Sequence, residues 1–248
     1  MNTTDLIFAG AVGVVSLISG ATAAVVGFGI GSLLTPLLIT RVDPHLAVSL
    51  IAIPHAIATA ARYVQHRTFV DSSMFLRFGV PSAAGGLLGA VFQGAIPARW
   101  LIVVLGALLI ATGAASLRLT SLARTPPQSL ALVLGALSGF FGGLAGNQGG
   151  FRTAGLSAFS LPPRAFLATS TAVGLVVDLA RTPVYLARSG SALTEFVPMV
   201  VIASAGCLAG TILGERIFLG MPADRYRRVV GGAVVAIGLW LCTQGARS

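Results

Sequence analysis

The stretch GLAGNQGGFRTAG, residues 143–155, sets five glycines, two amides and an arginine into a chain otherwise suited to lipid. An earlier stretch, VVGFGIGSLLTP at residues 25–36, has glycines at 27, 29 and 31 followed by a Thr-Pro pair. Within a helix a glycine costs about 1 kcal/mol relative to alanine and a proline about 3 kcal/mol, so the sequence predicts that the helix breaks at both places. Lipid offers no partners to the backbone groups a break sets free, and such backbone persists only against protein or a wet cavity. Each break therefore implies a cavity. A half-helix restarting near Gly31 or Gly150 also points free N–H groups and a positive dipole end toward that cavity, which suits an anion.

The surrounding composition sets the class. Of 248 residues, 55% are hydrophobic and 9% charged, and mean hydropathy is +0.91, too little charge for the surface of a soluble domain. Uncharged runs at 6–40, 78–98, 100–117, 125–151, 196–214 and 229–246 reach or approach the ~20 residues that one bilayer crossing needs. The sequence is that of an all-α polytopic membrane protein. All sixteen basic residues are arginine and the formal charge is +9. The arginines are spread over short loops, the pattern of membrane flanking, and nucleic acid is not an expected partner. Cys207 and Cys242 lie in apolar runs without CxxC or Cys/His spacing, so neither a metal site nor a disulfide framework is expected. The N-terminus has no basic region before its apolar stretch and reads as the first transmembrane helix.

Along the chain the pattern predicts helices at about 6–26, 30–40 (a half-helix), 45–64, 73–94 and 99–118, then a linker at about 119–128. The series restarts with helices at about 129–145, 150–160 (a half-helix), 164–187, 195–218 and 224–244. A shift of 119 residues superimposes Ser19-Gly20 on Ser138-Gly139, Gly27 on Gly146, Gly31 on Gly150, Pro44 on Pro163 and Ala61-Arg62 on Ala180-Arg181. Self-similarity of two hydrophobic halves is the trace of a duplicated transporter fold. The expected architecture is a single transmembrane domain over 1–248, with about eight transmembrane helices in two four-helix repeats. Repeat 1 runs over about 6–118 and repeat 2 over about 129–245, each with a broken, re-entrant first helix. Four full crossings per half make the repeats parallel, whereas an extra crossing by the half-helix inverts them. Gly85-xxx-Gly89 and Gly206-xxx-Gly210-xxx-Gly214 are spacings that let helix backbones approach closely in lipid.

Several polar residues stand out against this background. Asn147 and Gln148 can donate to an oxyanion or cap the following half-helix. Arg152 falls in that helix's first turn, where a cation opposes the dipole unless an anion lies beside it. Asp178 and Arg181 share one helix face at i, i+3 and can pair; Arg62 is the repeat mate of Arg181. Charges inside the membrane face the bundle interior and are functional candidates. Among Thr169, Ser170 and Thr171 at most one is expected as a ligand, and Thr169 is the choice. His55 beside Pro54 is a candidate proton carrier, with Asp178 as its companion in coupling.

The paired glycine-rich segments, SGATAAVVGFGIGSLLTPLL (19–38) and SGFFGGLAGNQGGFRTAGL (138–156), are each followed about a dozen residues on by proline and an Ala/Ser/Thr-rich helix. In this the chain resembles the sulfite exporter TauE/SafE family of membrane permeases over essentially its whole length. The family's turns are GxGGG-like; here they are GFGIG and GNQGG. The resemblance implies a multi-pass transporter of the plasma membrane (the bacterial inner membrane) with about eight helices, moving sulfite, sulfonates or related organic acids. It makes Gly27, Gly29, Gly31, Gly146, Gly149 and Gly150 the turn glycines around the substrate. Asn147, Gln148, Arg152, Thr169 and Arg181 join them as candidate anion ligands, with Asp178, Arg62 and His55 as charge partners or coupling groups. The expected mechanism is alternating access around a central site, without cofactor or metal. The expected partners are a small anion and the bilayer, and a homo-oligomer stays open. No nucleophile with a base, metal spacing or carboxylate pair speaks for an enzyme; an anion channel and a membrane scaffold are the alternatives.

Overall fold

The computed structural model describes residues 3–118, 127, 129–217 and 223–247, and among these every regular element is a helix. In order they are α1 (Thr3–Val26), α2 (Ile30–Ile39), α3 (Pro44–His66), α4 (Ser72–Met74), α5 (Val80–Gln93), α6 (Ala98–Arg118), α7 (Ser129–Ala145), α8 (Gly149–Ser157), α9 (Pro163–Glu195), α10 (Val197–Ile217) and α11 (Ala223–Arg247). A π turn, Phe75–Gly79, joins α4 and α5 into one span, and a 3-10 turn, Arg67–Phe69, extends α3. The expected linker at 119–128 lies, apart from Pro127, outside the described residues.

Among the described residues seven helices are long and apolar enough to cross a bilayer: Thr3–Val26, Pro44–Phe69, Ser72–Gln93, Ala98–Leu117, Pro163–Glu195, Val197–Arg216 and Arg225–Ala246. The sequence predicts about eight. The difference is α7, whose 17 residues span only about 26 Å at ~1.5 Å per residue, short of the ~30 Å hydrocarbon layer. Large apolar side chains such as Ile7, Val14, Leu88, Val201 and Val229 are exposed on the outside, as a lipid-facing surface requires.

A local signal sets the start of α3. Asp43 caps α3, accepting from the backbone N–H of His45 (2.9 Å) and Leu46 (3.3 Å), with Pro44 opening the helix. One boundary departs from the sequence reading, since α9 runs unbroken to Glu195 instead of ending near 187. Residues 189–195, SGSALTE, contain no proline, and Gly190 meets only open space, so nothing in that stretch stops the helix. Pro183 sits inside it.

Glycines hold the bundle together by letting backbones touch. Gly20, Gly210 and Gly214 seat α1 on α10, and a Cβ on Gly85, Gly89, Gly139 or Gly143 would collide with backbone across the α5–α7 contact. In lipid such contacts supply the packing that hydrophobicity cannot. Their order also fixes direction. Gly13 faces Ile202 while Gly214 faces Ala24, so α1 and α10 run parallel; Gly139 faces Ser82 and Gly143 faces Gly86, so α5 and α7 do too. In contrast Gly106 faces Gly238 and Gly113 faces Gly231, making α6 and α11 antiparallel. Helices α3 and α9 are antiparallel as well: His55 meets Asp178, and Thr59 meets Gly174.

Candidate functional site

Three residues, Gly27–Gly29, separate α1 from α2, and three, Gly146–Gln148, separate α7 from α8. Gly27 and Gly146, 119 positions apart, are both left-handed (φ +84° and +72°), a conformation in which a side chain costs about 1–2 kcal/mol. Ending a helix leaves its last carbonyls short of partners; Ala23 O and Gly142 O accept from the N–H of Gly27 (3.1 Å) and Gly146 (3.0 Å), and at both places a side chain from a neighbouring helix bonds the carbonyls as well. Arg62 Nη1 and Nη2 donate to Ala23 O (3.0 Å) and Ala24 O (3.4 Å) at the end of α1. At the end of α7, Arg181 Nη1 donates to Gly142 O (2.5 Å) and the Tyr185 hydroxyl donates to Gly143 O.

The two turns meet. Ser32 Oγ donates to Asn147 Oδ1 (3.0 Å), and Arg152 Nη2 donates to Gly27 O (3.3 Å). Gly31 rests on the carbonyl of Gly146 and Gly149 rests on Phe28, contacts that leave no room for a Cβ.

Beside this junction is an enclosed cavity lined by Gly27, Phe28, His55, Thr59, Arg62, Arg152, Thr171 and Thr211. It is contracted, with about 10 Å³ open to the centre of a water molecule, which is room for about one water. Arg152 is buried; its Nε donates to Ser170 Oγ (3.0 Å), while Nη1 has no hydrogen-bond partner. Among the described residues no carboxylate lies within ion-pair distance of it. Arg62 has one, Glu215, at 3.5 Å.

A second polar group lies deeper. Asp178, wholly buried, accepts from Arg181 Nε (3.1 Å), pairs with Arg181 Nη2 (2.9 Å), accepts from Gln148 Nε2 (3.3 Å) and contacts His55 Nδ1 (2.6 Å). Its charge is matched by Arg181, so it contributes no net charge to the cavity. His55 joins the two groups, lying on the cavity wall and on Asp178.

The residues singled out in the sequence are thus divided. Gly27, His55, Arg62 and Arg152 line the cavity. Gly29, Gly31, Gly146 and Asn147 build the junction behind it; Gly149 and Gly150 pack against Phe28 and Thr112. Gln148, Asp178 and Arg181 form the deeper cluster, and Thr169 Oγ1 accepts from the backbone N–H of Asp71 away from the cavity. Sequence reasoning passed over Thr59, Phe28 and Thr211 as wall residues. For Thr59 a signal existed, because His55, Thr59 and Arg62 at i, i+4 and i+7 form one helical stripe. Among the described residues no cluster of three or more His, Cys, Asp or Glu could hold a metal ion.

A family model described as sulfite exporter TauE/SafE matches residues 12–241. The chain belongs to the TauE/SafE family. No curated protein matches it. Membership makes the chain a multi-pass membrane protein of a family that transports sulfur-containing anions, and TauE/SafE proteins are transporters and not enzymes.

Proposed function

We propose that this TauE/SafE protein carries a small sulfur-containing or organic acid anion, sulfite or a sulfonate, across the plasma membrane by alternating access around the Arg152 cavity. The observation that carries this is the buried guanidinium of Arg152, which faces a polar cavity and has no carboxylate within ion-pair distance among the described residues. An uncompensated buried charge costs several kcal/mol, and a bound anion supplies the missing counter-charge. The contracted cavity corresponds to an occluded state, and a substrate larger than water needs Phe28 or Arg62 to move.

The halves are read as inverted repeats with broken first helices. The supporting pattern is directional: α3 and α9 occupy matching places in the two halves, as do α6 and α11, and both pairs are antiparallel. Arg62 and its mate Arg181 each donate to a carbonyl 39 residues earlier in the chain. In this reading α2 and α8, 10 and 9 residues long and too short to cross, turn the chain back after α1 and α7 as half-passes and so invert each half, and exchange of the two halves' conformations moves access from one side to the other.

The test is sulfite uptake into proteoliposomes, with calorimetric binding by the purified protein. Saturable flux is expected, and Arg152→Ala weakens binding about tenfold or more, equal to ~1.4 kcal/mol, while Arg152→Lys retains part of it. Unchanged binding by a folded Arg152→Ala protein refutes the site, and unsaturated electrical conductance refutes the carrier.

A further inference from the structure

Building on the anion-carrier reading, we infer that Glu215 is an internal stand-in for the substrate. It holds Arg62 at the cavity wall, and an arriving anion displaces it, so that the Arg62–Glu215 pair gates the route into the cavity. Adjacent residues divide two spaces here. Ala23 and Arg62 line the enclosed cavity, whereas Ala24, His66 and Glu215 line an open pocket of about 370 Å³. The Arg62 side chain spans the partition. It bonds Ala23 O and Ala24 O on either side of the divide and reaches Glu215 with Nε at 3.5 Å.

The matching arginine in the other half shows how different this pair is. Arg181 holds Asp178 through contacts of 2.9 and 3.1 Å with both side chains fully buried, whereas Glu215 makes one longer contact to Arg62 and is 19% exposed. One pair is locked and the other is loose. Glu215 also has a second partner within reach, since His66 Nε2 lies 3.2 Å from the same carboxylate oxygen. A carboxylate with two partners on one helix, α3, can leave Arg62 and still keep the other. Arg62, still held by two carbonyls, then presents its charge to the cavity. Glu215 thereby sets affinity by competition, and a substrate anion must bind Arg62 better than Glu215 does.

The experiment uses the full chain, with sodium sulfite under nitrogen as probe. Calorimetry is combined with the labelling rate of Thr59→Cys by a charged thiol reagent in a Cys207→Ser, Cys242→Ser background. Glu215→Gln is expected to tighten sulfite binding and speed labelling, each by about tenfold, and Arg62→Gln is expected to abolish the gain in affinity when combined with it. His66→Leu, which removes the second partner and leaves Glu215 on Arg62, is expected to weaken binding about threefold. Unchanged or weaker binding by Glu215→Gln, or an unchanged His66→Leu protein, overturns the gate while wild-type binding leaves the carrier standing. Failure of the wild type itself to bind sulfite overturns both.

Discussion

Replacing Asp178 by Asn keeps the side chain's shape and removes its charge, leaving Arg181 as a buried cation without a counter-ion. Both side chains are 0% exposed and meet at 2.9 Å. At an effective dielectric of about 20 that separation corresponds to an attraction of about 6 kcal/mol, most of it offset by desolvation of the two ions. Removing one partner keeps the desolvation and loses the attraction, so Asp178→Asn and Arg181→Met are each expected to cost about 3–5 kcal/mol. For a chain of this size that lowers the unfolding midpoint by about 6–20 °C. The double variant carries no buried charge at this place. It loses the Arg181 hydrogen bond to Gly142 O, about 1.5–3 kcal/mol, while Gly142 O keeps the N–H of Gly146 at 3.0 Å, and with both charges gone it is expected to be more stable than either single variant. The assay is equilibrium unfolding of purified protein in mixed micelles with increasing denaturing detergent, for the wild type and all three variants. A coupling energy of about 2 kcal/mol or more is expected. Single losses below about 1 kcal/mol, or additive effects in the double variant, refute the reading of Asp178–Arg181 as a locked structural pair.

Further expectations concern the turns and the thiols. Gly146→Ala forces alanine into the left-handed conformation at φ +72° and is expected to destabilise by about 1–2 kcal/mol. Gly232→Ala, where a Cβ meets nothing within 4 Å, is expected to gain up to about 1 kcal/mol of helix propensity; unfolding midpoints of the two variants check the contrast. Cys207 is wholly buried against α1, so in a Cys242→Ser background an impermeant maleimide is expected to label it only after unfolding, as mass spectrometry will read.

Membrane class, the paired glycine turns and the Asp178–Arg181 contact were legible in the sequence because each depends on short-range chemistry. Hydropathy needs only composition, a glycine-rich turn needs only local backbone freedom, and an i, i+3 pair needs only helical geometry. The helix that continues past Gly190 shows the limit of such reasoning, since a weak breaker alone does not decide where a helix ends. Tertiary structure decided which arginine has a carboxylate. Arg62 finds Glu215 from α10, His55 finds Asp178 across 123 residues, and Arg152 bonds Ser170 and Gly27 O with no carboxylate at ion-pair distance among the described residues. The opposed directions of α3 against α9 and of α6 against α11 also came from the folded chain. The physical reason is that lipid is as apolar as the helices it surrounds, so hydropathy puts segments in the membrane without ordering them sideways. Lateral order comes from glycine faces and polar contacts between helices distant in sequence, and these exist only once the bundle has assembled.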